Sequence, residues 1–469
     1  MTRTLATLLL LLPATAAWAT PRTMRVDCYH SGNAHEERWS LDRVVIEPLP
    51  WPGNPARPID DTNLGKYYFE VVDRASNRVV YSRGFASVYG EWEETDEARE
   101  HDRTFSESFR FPAPERPVRL VVEKRDRAND FREIWTTVVD PAGMFVDTSA
   151  PPPPAPLLTI QHSGDPATKV DLLILGDGYT RAELPKFESD ARRLVELLFA
   201  QPPFKEHRGD FNVWALCPPA AESGISRPSL GIHRRSPLGA SYDTFGSERY
   251  VLTYDNKAFR DVAQFAPYEF VEILVNGKTY GGGGIFNLYS TVAADSLWAP
   301  YIFVHEFGHH FAGLADEYYT SAVATATGGK VEPWEPNVTA DLAELKWRDL
   351  VTPGTPLPTP WKKAAFEAYS NDVQRRRREI RKDRRPEADM DQLFLVEREQ
   401  ESKMLGEERY AGKVGAFEGA DYEATGFYRP QADCIMFTRD QVSFCAVCRR
   451  AIERVIALYT QGAAPPAAR

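Results

Sequence analysis

After His310 the chain contains no further histidine; its nine stand at 30, 35, 101, 162, 207, 233, 305, 309 and 310. A metal ligand drawn from the final third of the chain must therefore be a carboxylate, a phenol or a thiol. Cysteine is scarce too. The five, at 28, 217, 434, 445 and 448, are an odd number, which excludes complete pairing within one chain. No G-x-G-x-x-G occurs, and no Gly-Lys-Ser/Thr directly follows the Gly176-Asp177-Gly178 turn, so that turn lacks the pattern of a phosphate-cradling loop. Positive charge is in deficit, with a formal net charge of −11, which argues against nucleic acid as a partner. Beyond the first 19 residues no segment is long and apolar enough to cross a bilayer, so an integral membrane segment is not expected in the mature chain.

What is present centres on Tyr301 to Tyr319, YIFVHEFGHHFAGLADEYY. Pro300 suits the first position of a helix, where a missing N–H costs nothing. On that helix His305 and His309 lie at i and i+4, so both imidazoles project from one face. This is the spacing at which two nitrogens share one zinc ion. Glu306, beside the first ligand, is placed to take a proton from water at such an ion. His310 faces about 100° away from His309 and reads as a packing or supporting residue.

The third ligand follows by elimination. The metzincin pattern H-E-x-x-H-x-x-G-x-x-H puts a histidine six residues past the second; here that place holds Ala315, and the glycine comes one residue late, at 313. Asp316 and Glu317 are the nearest carboxylates. In a straight helix Asp316 would lie about 10 Å along the axis from His309, out of reach. The helix must therefore break near Gly313 and the chain turn back. Asp316 is the expected ligand, with Glu317 or a later carboxylate as alternatives.

The rest of the chain divides around this stretch. Met1 to Ala19 carries Arg3, an apolar run and Ala17-Trp18-Ala19, which reads as a signal peptide and implies a secreted or periplasmic protein. Residues 20–148 hold short β-branched and aromatic runs, at Val44–Ile46, Tyr67–Val72, Val79–Tyr81, Val118–Val122 and Ile134–Val139, and are expected to form an all-β sandwich. SAPPPPAP, 149–156, is a stiff spacer. A second domain is expected over 157–462, with a disordered tail at 463–469. It opens with the strand VDLLIL and a helix capped by Thr180 and Glu183. Tyr280–Gly284 reads equally as a sheet edge beside a cleft or as a flexible loop, and Ile285–Thr291 as a strand. Residues 364–409 are densely charged in both signs and read as a solvated helical excursion. Cys434-Ile435-Met436 suits a methionine turn beneath the metal, and Tyr428 is a candidate for the oxyanion or the metal. Of Cys434, Cys445 and Cys448 one disulfide is expected; a second zinc site lacks a histidine to complete it.

Together, HEFGHHFAGLADEYY, LGDGYT, VNGKTYGGGG and YRPQADCIM resemble the IgA-peptidase family of secreted bacterial zinc metallopeptidases, over about 157–460. The β-rich part resembles the domain that precedes the catalytic domain in that family. The resemblance implies an α+β, metzincin-like catalytic domain, a mixed sheet with an active-site helix. It implies hydrolysis of protein or peptide substrates, one catalytic zinc on His305 and His309, and Glu306 as acid/base. The extended spacing to Asp316 matches the family. Two other readings stand beside it: a secreted binding or adhesion protein with a structural zinc, and a hydrolase of cell-wall peptides. Oligomeric state is not legible.

Overall fold

The computed structural model describes residues 21–321 and 331–462. The leader-like segment 1–19 and the tail 463–469 lie outside the described residues. The fold is mixed helix and sheet, with a sheet-rich N-terminal part. There the strands are β1 (Arg22–Gly32), β2 (Glu37–Pro50), β3 (Tyr67–Asp73), β4 (Arg78–Phe85), β5 (Arg103–Pro112), β6 (Val118–Arg125), β7 (Phe131–Val139) and β8 (Val146–Asp147). They form two four-stranded sheets, in the orders β5-β1-β2-β8 and β4-β3-β6-β7. Inward side chains such as Met24, Val26, Trp39, Phe69, Val71, Leu120 and Val122 share one core.

The expected runs fall within strands of this part, but β1 and β5 were not legible. Their reason is physical. The outer face of their sheet packs on the rest of the molecule, so both faces of β1 are buried and apolar alternation is lost. Charges fill the second face: Arg25 reaches Asp27 and Asp261, Arg43 bridges Asp27 and Asp261, and Arg110 pairs with Glu47 and donates to the Tyr268 carbonyl. The short helix α1 (Val88–Trp92) adds Tyr89 and Trp92 to the core of the following domain.

That domain is built on β9 (Leu158–Gln161), β10 (Val170–Asp177), β11 (Phe211–Leu216), the small pair β12 (Ala240–Ser241) and β13 (Leu252–Thr253), β14 (Phe270–Val275), β15 (Gly282–Ile285) and β16 (Tyr289–Ala293). Six of them make one sheet, ordered β15-β16-β14-β10-β11-β9. The four inner strands run parallel, and β9 and β15 are antiparallel edges. Every residue of β10 and β14 is buried, as continuous apolar strands covered on both faces require. Asp177, at the end of β10, accepts from the Leu238 and Ala240 amides and the Ser236 hydroxyl, so this turn is a structural junction.

Helices α2 (Leu184–Leu198), α3 (Asn256–Ala263) and α4 (Ala299–Ala312) follow in chain order. The Thr180–Glu183 capping box is present ahead of α2. The stretch 285–291 is a hairpin rather than one strand. Asn287, at φ 55°, turns the chain between β15 and β16, and its side chain donates to the Gly84 carbonyl of the N-terminal part. Residues 363–406 form α5 (Lys363–Lys382) and α6 (Glu387–Gly406). They are helical, but not solvated all round: Phe366, Val373, Met390, Leu393 and Phe394 are buried, and Glu397 pairs with Arg439. The hairpin β17 (Phe417–Ala420) and β18 (Glu423–Arg429) precedes α7 (Ala446–Thr460). No helix among the described residues is long and apolar enough to cross a membrane.

Candidate metal centre and cleft

Helix α4 carries the H-E-x-x-H stretch and presses on the glycines of β15. A Cβ on Gly284 would fall 2.3 Å from the Glu306 carbonyl oxygen and 3.0 Å from the His309 Cβ. Glycine is therefore what lets the edge strand lie against the helix. This bears out the sheet-edge reading of 280–284, although at Gly282 the outer side of β15 is already bonded to Arg249 and Val251.

Pro300 sits in the first turn of α4, and Gly313 ends the helix in the left-handed region, φ 57° and ψ 39°. The chain then turns back across the helix. Asp316 Oδ1 comes to 3.0 Å from His305 Nε2 and 3.2 Å from His309 Nε2, and the two nitrogens are 3.1 Å apart. Asn337 holds this return, accepting from the Ala315 amide and donating to the Ala315 carbonyl and to Glu317.

The outer ring nitrogens decide the chemistry. His305 Nδ1 lies 2.9 Å from the Ile435 carbonyl, and His309 Nδ1 faces the Leu314 carbonyl. A carbonyl only accepts, so each Nδ1 carries the proton and each Nε2 presents a lone pair. With both rings neutral, two lone pairs and a buried carboxylate oxygen converge with no proton between them, an arrangement that either a metal cation or a proton on one ring relieves. Asp316 Oδ1 has no hydrogen-bond donor within the protein. Donors about 2.0–2.1 Å from a tetrahedral zinc stand about 3.3 Å apart, close to the spacings found. The residues fit a zinc ion. The same crowding raises His309 to about 9, with burial opposing and Asp316 favouring the charged ring.

Glu306 lies beside this triangle. Burial pushes its carboxyl above the ordinary range, while His305 and His309 pull it down. His310 is buried on the opposite side: its Nε2 accepts from the Val271 amide and its Nδ1 donates to the Ile285 carbonyl, tying α4 to β14 and β15. Burial holds it neutral, at about 3. Met436 packs below the helix, its sulfur 3.1 Å from where a Gly308 Cβ would lie.

Tyr428 requires a correction. Its backbone pairs with Thr339 and Glu418, and it is not among the residues lining the cleft. Tyr422 takes the place near the donors: its hydroxyl donates to Asp316 Oδ2. It stands at the tip of the β17–β18 hairpin, where Asp421 and Tyr422 have φ of 51° and 62°. This two-residue turn favours glycine or asparagine, and a tyrosine there is strained. The tip is held by amides of 421 and 422 donating to the carbonyls of Asp316 and Tyr318. No local signal marked Tyr422, because tyrosine is not a turn residue. The expected disulfide is also absent: all five cysteines are free and buried thiols.

The donors open on a cavity of about 920 Å³. One wall comes from the N-terminal part, with Glu91, Glu94 and Arg125. Another comes from α5 and α6, with Gln374, Glu397 and Glu401. Residues 158–456 match the family described as IgA Peptidase M64, and residues 16–136 match the Peptidase M64 N-terminus. The chain belongs to the IgA peptidase M64 family. Both M64 matches take in residues that line the cavity. Membership in a peptidase family implies a protein or peptide substrate. Among curated proteins nothing matches the chain.

Proposed function

We propose that the protein is a secreted, zinc-dependent peptidase with Glu306 as general base and acid. The observation that carries this is the convergence of His305 Nε2, His309 Nε2 and Asp316 Oδ1, with Glu306 beside them at a large cavity, in a chain of a peptidase family. His305, His309 and Asp316 would hold the ion. Zinc, when bound, acts as a Lewis acid that polarises a carbonyl and makes water easier to deprotonate. Glu306 takes the proton from the attacking water and delivers it to the leaving amine nitrogen. The raised carboxyl of Glu306 suits both halves of this transfer. Tyr422 fixes the orientation of Asp316, and the Ile435 and Leu314 carbonyls fix the two imidazoles. A metzincin-like catalytic core is part of the reading, supported by Met436 beneath Gly308 and by the antiparallel edge strand against α4. Export rests on the composition of Met1–Ala19.

The test is digestion of an unbiased peptide library by the mature chain, beside Glu306→Gln, with zinc measured in both. We expect the wild type to cut and the variant to hold zinc without cutting, a loss of about 10²-fold or more. Zinc in both with cleavage by neither would refute the reading.

A further inference from the structure

A second donor cluster lies behind the first, on the far side of the Asp316-Glu317 step. Cys445 caps α7 and Cys448 follows at i+3, which places both sulfurs on one face of the helix start. Their Sγ atoms are 3.4 Å apart. Cys434, from the turn after β18, brings its Sγ to 3.9 Å from that of Cys448. Glu317 enters opposite, with Oε1 3.4 Å from Cys448 Sγ and 3.9 Å from Cys445 Sγ. All four donor atoms lie within 4.8 Å of one another. Cys434, Cys448 and Glu317 are fully buried, and Cys445 is 4% exposed.

Two features point to a ligand here. Glu317 Oε2 is buried without a hydrogen-bond partner, a costly state for a carboxylate. And the spacings are those of a coordination shell. With bonds of about 2.3 Å to sulfur and about 2.0 Å to oxygen, tetrahedral zinc sets S···S at about 3.8 Å and S···O at about 3.5 Å. A disulfide would consume two sulfurs and leave the third thiol and Glu317 buried together. The buried guanidinium of Arg429 lies within electrostatic reach of Glu317 and Cys434 and offsets the negative charge of the set.

We propose that Cys434, Cys445, Cys448 and Glu317 bind a second, structural zinc ion. Four protein donors close the shell and leave no place for water or substrate, which is the mark of a structural site. The thiols release their protons to solvent on binding; no oxidant takes part. Glu317 follows Asp316, and its amide donates to the Met436 carbonyl, while His305 Nδ1 donates to the Ile435 carbonyl. The ion therefore joins three pieces that meet under α4: the return segment bearing Asp316, the turn at 434–436, and the start of α7.

The test uses the full mature chain carrying His305→Ala and His309→Ala, so that the first centre contributes no metal. We expect about one equivalent of zinc per chain by elemental analysis, against about two in the wild type. Cobalt(II) loading of the same variant should give thiolate-to-metal charge-transfer absorption, which an imidazole–carboxylate site does not produce. Adding Cys434→Ser in that background should abolish both signals. If that chain fails to fold, the cobalt spectrum of the double-histidine variant decides. No zinc and no thiolate absorption in the double-histidine variant, or a disulfide among the three cysteines in a non-reduced peptide map, overturns the proposal. None of these readouts involves cleavage, so they stand whether or not the peptidase reading does.

Discussion

Replacing Gly313 by alanine tests the turn that returns Asp316 to the histidines. The residue sits at φ 57° and ψ 39°, where an L-residue costs about 1–2 kcal/mol. An added Cβ would also fall 2.6 Å from Cζ3 of the Trp334 ring, with Phe286 at 3.3 Å on another side. Overpacking of this kind costs about 1–3 kcal/mol. Together the metal-free protein should lose about 2–5 kcal/mol, read as a lower denaturant midpoint with unchanged slope. Zinc affinity, measured by competition with a chromophoric chelator, should fall as well, because relief of the strain moves the segment that carries Asp316. Gly313→Asn separates the two contributions, since asparagine tolerates the left-handed region but keeps the crowding. It should recover the backbone share only. A loss below about 0.5 kcal/mol with unaltered zinc affinity would refute the claim that this turn directs the third ligand.

Two further predictions concern groups outside the H-E-x-x-H stretch. Tyr422→Phe removes the donor on Asp316 Oδ2 and should weaken zinc binding by about 10–100-fold while leaving the fold intact; equal affinity would show that the hairpin tip is only a strut. Glu272, fully buried on β14, meets the Ser290 hydroxyl at one oxygen, and burial raises its pKa well above the ordinary carboxylate value. As pH rises above about 4.5 the unfolded chain releases this proton first, so stability falls, by at most about 1.4 kcal/mol per pH unit, until the folded carboxyl also ionises. Urea midpoints at about pH 5 and about pH 8 should therefore decline more in the wild type than in Glu272→Gln, and parallel declines would dismiss the idea.

Features set by residues a few positions apart were legible from the chain alone. The i, i+4 histidines, Pro300 at the helix start, the stop at Gly313, the Thr180–Glu183 cap and the apolar β10 depend on one turn of helix or one strand. Elimination reached Asp316 because the chain runs out of histidine and glycine permits the turn. Partners brought from far along the chain were decided by packing alone. Tyr422 meets Asp316 across 106 positions, and Cys448 meets Glu317 across 131. Tyr428 carried the better motif, yet strand pairing with Thr339 keeps it from the cleft lining. The charges on β1 defied the alternation rule because a second buried face lay against another part of the molecule. Local periodicity and capping thus determined the H-E-x-x-H helix and its two imidazoles. The third dimension chose the phenol that steadies Asp316 and gave the late cysteines their carboxylate, because sequence carries no local record of which distant surfaces exclude water together.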